Sequence, residues 1–140
     1  MTTSADAGMP EGYTETRLVD PFEIYVGPVF EQGGVGAKRF AFRADERHLN
    51  RRGVVHGGML MTFADAALGQ AAWDATDRAP SVTLNMQSHF LRGVVKDDLV
   101  EVVPIITRKT RALVFIRGDF KVKDEVVMTV SSVWKLLGQD

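Results

Sequence analysis

Hydrophobic positions along this chain follow two periods. Between Gly57 and Trp73, residues Met59, Leu60, Phe63, Ala64, Ala67, Leu68 and Ala71 recur at the i, i+3, i+4, i+7 spacing of a packed helical face. The opposite face carries Met61, Thr62, Asp65, Ala66, Gly69, Ala72 and Trp73, and no Lys, Arg or Glu occurs in the segment. A helix that is apolar or small nearly all round is enclosed all round, so other elements are expected to wrap it. Elsewhere the period is two. Residues 37–44 alternate, with Phe40 and Phe42 on one side and Arg39 and Arg43 opposite or at the rim. After a polar break at 74–80, residues 81–91 set Val82, Leu84, Met86, Ser88 and Phe90 against Thr83, Asn85, Gln87 and His89. Residues 99–107 are rich in Val and Ile, and Pro104 marks an edge position or a bulge. Residues 112–122 follow, with Gly118 at an expected bulge. Residues 126–137 close the alternation. The turns at 96–98, 108–110 and 123–125 are short enough to require antiparallel pairing.

The order is therefore strand, long helix, then a four-strand meander. The simplest packing is an α+β fold: an antiparallel sheet of five to six strands wrapped around one long central helix. Residues 1–16 are small and polar and read as a flexible N-terminal tail, leaving 17–140 as a single domain. Residues 18–30 place Phe22, Tyr25 and Phe30 among Pro21, Gly27 and Pro28, which suits a short helical turn leading into a strand, or an ordered coil. The outward parity of the sheet is mild for a solvated face (Thr83, Asn85, Gln87), which points to cover by other subunits.

Composition narrows the classes of function. The 140 residues are 45% hydrophobic and 25% charged with a net charge of −1, so neither a nucleic-acid nor a membrane partner is expected. There is no cysteine, which removes disulfides, thiolate catalysis and cysteine-based zinc sites. The first residues lack the basic and apolar regions of a signal peptide, and a cytoplasmic location is expected.

Chemistry concentrates at the helix. Asp65 is its only charge within 57–73, and a buried unpaired carboxylate costs several kcal/mol or titrates away from its usual range. It is either a structural Asp bonded to a neighbouring hydroxyl or amide, or a general base or nucleophile. His56-Gly57-Gly58 opens the helix. Unpaired N–H groups and the positive end of the dipole gather at a helix start, and glycine allows close approach, which together suit a developing oxyanion. Gly57 and Asp65 are eight residues apart, hence roughly 12 Å along the helix axis. A carbonyl held at Gly57 N–H cannot also lie about 3 Å from a water held by Asp65 of the same chain. If both act together, the carboxylate comes from a second chain.

The residues His48-x-Asn50-x-x-Gly53-x-Val55-His56-Gly57-Gly58, followed by Ala64-Asp65 and Gly69, resemble the signature of hotdog-fold acyl-CoA thioesterases of the phenylacetic-acid-pathway (PaaI-like) family. The likeness covers about residues 22–137. It implies hydrolysis of an acyl-CoA thioester without a cofactor, coenzyme A being part of the substrate, in homodimers commonly paired into homotetramers. In that scheme the Gly57 amide polarises the thioester carbonyl, Asn50 helps to hold it, and His56 braces the loop or bonds near the thioester. The partner's carboxylate at the Asp65 position is base or nucleophile, assisted by a hydroxyl for which Thr83 is the matching residue. By its parity, however, Thr83 faces away from the helix if Val82, Leu84 and Met86 face it. CoA phosphates call for cations; Gly58, Arg92, Lys96, Arg108, Lys109 and Arg111 are the candidates for CoA binding, and Leu60, Phe63 and Trp73 for the acyl pocket. His48 and His89 are read as structural. No His/Asp/Glu cluster has metal-ligand spacing. Two alternatives remain open from the residues alone: an enoyl-thioester hydratase or dehydratase on the same fold, in which His56 and Asp65 meet across a dimer, and a non-catalytic acyl-CoA binding protein.

Overall fold

The computed structural model describes residues 8–16 and 20–139. One helix dominates: α2, Gly57–Ala75, buries Met59, Leu60, Phe63, Ala64, Ala67, Leu68 and Ala72. This is the face expected from the sequence, except that Ala72 rather than Ala71 is its last sealed position; Ala71 is partly buried against the same core. The helix starts at His56, whose Nδ1 accepts from the Gly58 N–H. It ends at Thr76, after which Asp77 and Arg78 turn into positive φ.

Among the described residues the sheet has eight strands, not five to six: β1 (Thr14–Glu15), β2 (Phe30–Gln32), β3 (Arg39–Arg43), β4 (Ser81–Phe90), β5 (Leu99–Val102), β6 (Ile105–Lys109), β7 (Leu113–Val122) and β8 (Glu125–Leu136). The extra strands have identifiable origins. Pro104 cannot donate to a ladder, and the expected strand over 99–107 divides there into β5 and β6, the latter continuing to Lys109. Before β3 the chain contributes two short strands and a six-residue helix, α1 (Pro21–Val26), capped by Asp20, whose side chain accepts from the Glu23 N–H. The spatial order is β1-β2-β3-β5-β7-β8-β4, with β6 also on β7, and the pairs are antiparallel. The β7–β8 hairpin turns through Lys123 and Asp124, both at positive φ, the backbone that a two-residue connection needs to match strand twist.

The end of the stretch expected as a flexible tail joins the sheet. Residues 1–7 lie outside the described residues. Thr14–Glu15 pair with Phe30–Glu31, and Tyr13 and Thr16 are buried. Tyr13 packs with Phe30, Ala41 and Leu99 on the far side of β3. Covering that side explains why Ala41 is as buried as its neighbours Phe40 and Phe42.

The main core lies between α2 and the sheet. Phe63 of the helix meets Phe42 at 4.9 Å and Phe120 at 5.6 Å between ring centroids. Gly118 is not at a bulge; the irregularity in β7 falls between Phe120 and Lys121. A Cβ at Gly118 would lie 2.7 Å from Val102 Cγ2, so its missing side chain is what lets β5 and β7 pack this closely under Leu68.

The helix is not enclosed all round. Met61, Thr62, Ala66 and Gly69 are half-exposed and Asp65 is exposed. The sheet covers one face of α2 and reaches its flank through Thr83 at Asp65 and Trp134 at Gly69; among the described residues of this chain nothing closes over the rest.

Candidate active site

Along the uncovered face the candidate residues fall into two groups, one at Asp65 and one at the helix start. Asp65 projects from the third turn of α2, and Thr83 Oγ1 of β4 donates to its Oδ1 at 2.7 Å. Oδ2 has no partner among the described residues. A hydroxyl that donates to one oxygen fixes the carboxylate plane and leaves the second oxygen to accept from a reactant.

Thr83 reaches Asp65 because β4 does not alternate throughout. Pairing with β8 runs Thr83↔Trp134, then Asn85↔Val133, so Leu84 is an extra residue in a bulge. On the helix side stand Thr83, Met86, Ser88 and Phe90, opposite the buried Trp134, Ser132, Val130 and Met128. Val82 and Leu84 are exposed, and Val82 pairs with Lys135. Simple alternation groups Val82 and Leu84 with Met86; the bulge separates them and turns Thr83 inward.

At the N-terminus of α2, the Gly57 N–H donates to no protein group among the described residues. It carries the positive end of the helix dipole. Phe90 stands over it: a Cβ on Gly57 would be 3.4 Å from the ring. In the sequence Phe90 is only one more residue of an alternating strand. Its position over Gly57 follows from where the strand ends, beside the helix start.

His56 is the helix cap. Since its Nδ1 accepts from Gly58 N–H at 2.9 Å, that nitrogen has no proton, and the ring presents Nε2–H outward. The absence of a side chain on Gly58 makes room for this bond, as a Cβ there would be 3.1 Å from Nδ1. Asn50 spends its carbonyl oxygen on the loop, accepting from Arg52 N–H at 2.8 Å and from Val54 N–H at 3.4 Å. Gly53, at φ 82°, makes the tight return possible. Among the described residues the Asn50 amide nitrogen has no acceptor.

The remaining candidates divide. Leu60 and Phe63 are sealed in the core and do not line a pocket. Trp73 sits half-buried in a groove with Gln70, Asp74 and Arg78 at the far end of α2. The cations do not form one cluster. Arg92 bonds Glu125 at 2.9 Å and Gly93 O at 2.6 Å, near the Gly57 end. Lys96 pairs with Glu46 at 3.5 Å. Lys109 donates to Ala75 O at 3.0 Å, which puts it at the opposite helix end, roughly 27 Å from Gly57. Arg108 and Arg111 are exposed beside it. His89 points to the outer side of β4 and is exposed.

Gly57 and Asp65 share this open face but sit on one continuous helix, so the roughly 12 Å axial separation stands. A second carboxylate is nearby: Glu23 of α1 is held above the usual carboxylate range, chiefly by burial and then by the negative charges of Asp20 and Asp65, against a lowering backbone bond at Asp20. Among the described residues no three His, Asp or Glu side chains come together as a metal site, and no helix is long and apolar enough to cross a membrane.

Comparison with known proteins gives this geometry a family. A Pseudomonas aeruginosa protein named a putative esterase is 29% identical over 130 residues, which cover 91% of this chain and 97% of that one. The phenylacetic acid degradation protein PaaI from Thermus thermophilus, solved as a mutant, superposes with a TM-score of 0.76 at 23% identity over 84% of this chain and all of that one. A hypothetical thioesterase from Streptococcus pneumoniae, solved with coenzyme A, superposes with a TM-score of 0.69 at 21% identity over 74% of this chain and 83% of that one. The fold is thus the hotdog fold of those structures. The thioesterase superfamily model matches residues 52–129, more than half of the chain, beginning beside the Asn50 loop and running through α2 into β8. This chain belongs to the thioesterase superfamily and is a thioester hydrolase.

Proposed function

We propose that this protein hydrolyses acyl- or aryl-CoA thioesters to the free acid and CoA, at a site completed by the partner subunit of a homodimer. The observation that carries the reading is the pairing, on one uncovered helix face, of a free Gly57 N–H with a carboxylate oriented by Thr83. The thioester oxygen sits at the Gly57 N–H of one protomer, with Asn50 donating beside it. Asp65 of the other protomer takes a proton from water as the water oxygen attacks the carbonyl carbon. The oxyanion that forms is held by the amide and the helix dipole. Its collapse breaks the C–S bond, and the CoA thiolate recovers the proton. Direct attack by the carboxylate would instead pass through an anhydride, and a single turnover in labelled water separates the two, because only the anhydride route can place an Asp65 oxygen in the first product. No metal or other cofactor enters either route.

The dimer forms at the free edge of the sheet. β4 is an end strand of the sheet, ten residues long, with Val82 and Leu84 exposed along it. A long edge with apolar side chains requires a cover, and a second copy pairing there would bring Asp65 towards its Gly57. The outer face, where Asn85, Gln87, Thr107, Phe115, Ser131 and Val133 surround a single Arg117, suits the pairing of two dimers into a tetramer. Light scattering of the purified protein tests both masses. Of the candidate cations, Arg92 is the one we assign to the CoA phosphates, since it lies towards the Gly57 end. The CoA carried by the pneumococcal structure supports that ligand class. The cysteine-free sequence fits a cytoplasmic enzyme, and residues 17–140 act as one catalytic domain.

A hydratase or dehydratase would need His56 as a base, and its outward nitrogen carries a proton while the other is spent on Gly58. The test is thiol release from a panel running from phenylacetyl- and benzoyl-CoA to medium-chain acyl-CoAs, alongside enoyl-CoA hydration. Thiol release abolished by Asp65→Asn supports the reading. Hydration without thiol release, or binding without either, overturns it. Mixed dimers of a Gly57→Val chain with an Asp65→Asn chain should regain activity if the site is shared.

A further inference from the structure

The loop that presents the Gly57 N–H is held from outside by a residue that touches neither Gly57 nor Asp65. The side chain of His48 is 2% exposed. Its Nδ1 accepts from Asp45 N–H at 3.0 Å, so its proton is on Nε2, which lies 2.6 Å from Val26 O and donates to it. The ring therefore ties the last residue of α1 to the 3-10 turn Glu46–His48. Arg47 strengthens the tie by donating to Tyr25 O and Gly27 O. Phe42 packs edge-on against the ring at 5.3 Å. On the other side of the residue, His48 O accepts from His56 N–H at 2.7 Å, and Leu49 bridges Val55. His56 then caps Gly58. The bonds run without a gap from Val26 O through the His48 ring and main chain to His56 and Gly58, and Gly57 lies within the last link.

We propose that His48 is a positioning residue that sets the aim of the Gly57 N–H by pinning the Asn50–His56 loop to α1. The proposal rests on the thioesterase reading for its effect on rate, but not for the pin itself. Its two nitrogens do different work, and two substitutions separate them. His48→Gln places an amide N–H near the Nε2 position and keeps the bond to Val26 O. His48→Asn places a carbonyl oxygen near the Nδ1 position and keeps only the bond from Asp45 N–H.

The experiment measures kcat and KM per folded enzyme, and amide hydrogen exchange at His56 and Gly58, for wild type and both variants. His48→Asn is expected to lower kcat by about tenfold, because small displacements of a transition-state donor cost rate. KM should stay within about twofold, since uniform binding is untouched. Exchange at both amides should quicken, and His48→Gln should rescue both readouts. A purely structural His48 would lower Tm in both variants while leaving kcat and exchange as in wild type, and that result overturns the proposal. If wild type turns over no thioester, the functional reading falls, and the exchange data still decide the pin. If neither variant folds, ring-nitrogen NMR of wild type decides: a slowly exchanging Nε2–H on His48 is expected, and a proton on Nδ1 or a freely exchanging ring overturns the pin.

Discussion

The two faces of α2 are built by different rules. Towards the sheet stand Leu60, Phe63, Ala64, Ala67 and Leu68, sealed and meshed with Phe42 and Phe120. On the other face stand Thr62, Asp65 and Ala66, small or polar and open, with Asp65 meeting the sheet only at Thr83. The first face follows from hydrophobic burial and needs only this chain. The second contributes less to the core and leaves two hydrogen-bonding groups, Gly57 N–H and Asp65 Oδ2, without a partner among the described residues. A helix can hold both because its period keeps them apart. If the proposed site is right, stability and chemistry are separable on one element, and substitutions should show it.

The largest effect is expected at Asp65. Asp65→Asn should cut kcat by about a hundred- to ten-thousandfold, with KM and Tm little changed; steady-state kinetics beside a thermal melt checks both halves. Phe63→Ala should do the reverse, removing about 3–5 kcal/mol of stability measured by denaturant unfolding, while kcat of the protein that remains folded is retained. Loss of kcat from the core substitution alone would break the separation. Thr83→Val should lower kcat by roughly tenfold, in line with one hydrogen bond to a charged group, and leave unfolding unchanged. The smallest effect is at Glu23. Its raised pKa means that the folded state holds the proton more tightly than the unfolded chain, so stability falls as pH rises from the ordinary value of 4.5 through the folded one and stays lower above it. Glu23→Gln should raise Tm at neutral pH by no more than about 2 °C, and the gain should vanish in acid, as melts across pH would show.

The sealed face is legible in the sequence because period 3.6 survives from Met59 to Leu68 without interruption. The β7–β8 turn is legible from Lys123-Asp124, whereas the turn expected at 108–110 falls at 110–112, because Arg108 and Lys109 still pair in β6. The open face looks enclosed in the sequence, yet it is not: small residues signal close approach without saying whether the approaching group belongs to the same chain. Residue type alone assigns Leu60 and Phe63 to a pocket, whereas burial assigns them to the core. β1 carries no pattern in two residues, and its pairing depends on Tyr13 finding Phe30 and Ala41. His48 reads as structural because its partner, Val26 O, is a backbone atom 22 positions away, which no side-chain spacing can announce.

The bulge at Leu84 has a consequence for how such strands tolerate insertions and deletions. Thr83 faces Trp134 and Asn85 faces Val133, so a chain lacking Leu84 would step cleanly from one pair to the next and keep its hydroxyl beside Asp65. A chain of full length in which the bulge was ironed flat would instead slide Thr83 opposite Lys135, turning the hydroxyl outward and bringing Val82 in. The shorter chain keeps the site and the complete one loses it. Deleting Leu84 should therefore cost less rate than Thr83→Val, and kcat of the two variants side by side reads the difference. Aligning strands of this kind by ladder position, with a gap where the bulge sits, is what keeps the hydroxyl matched to its carboxylate.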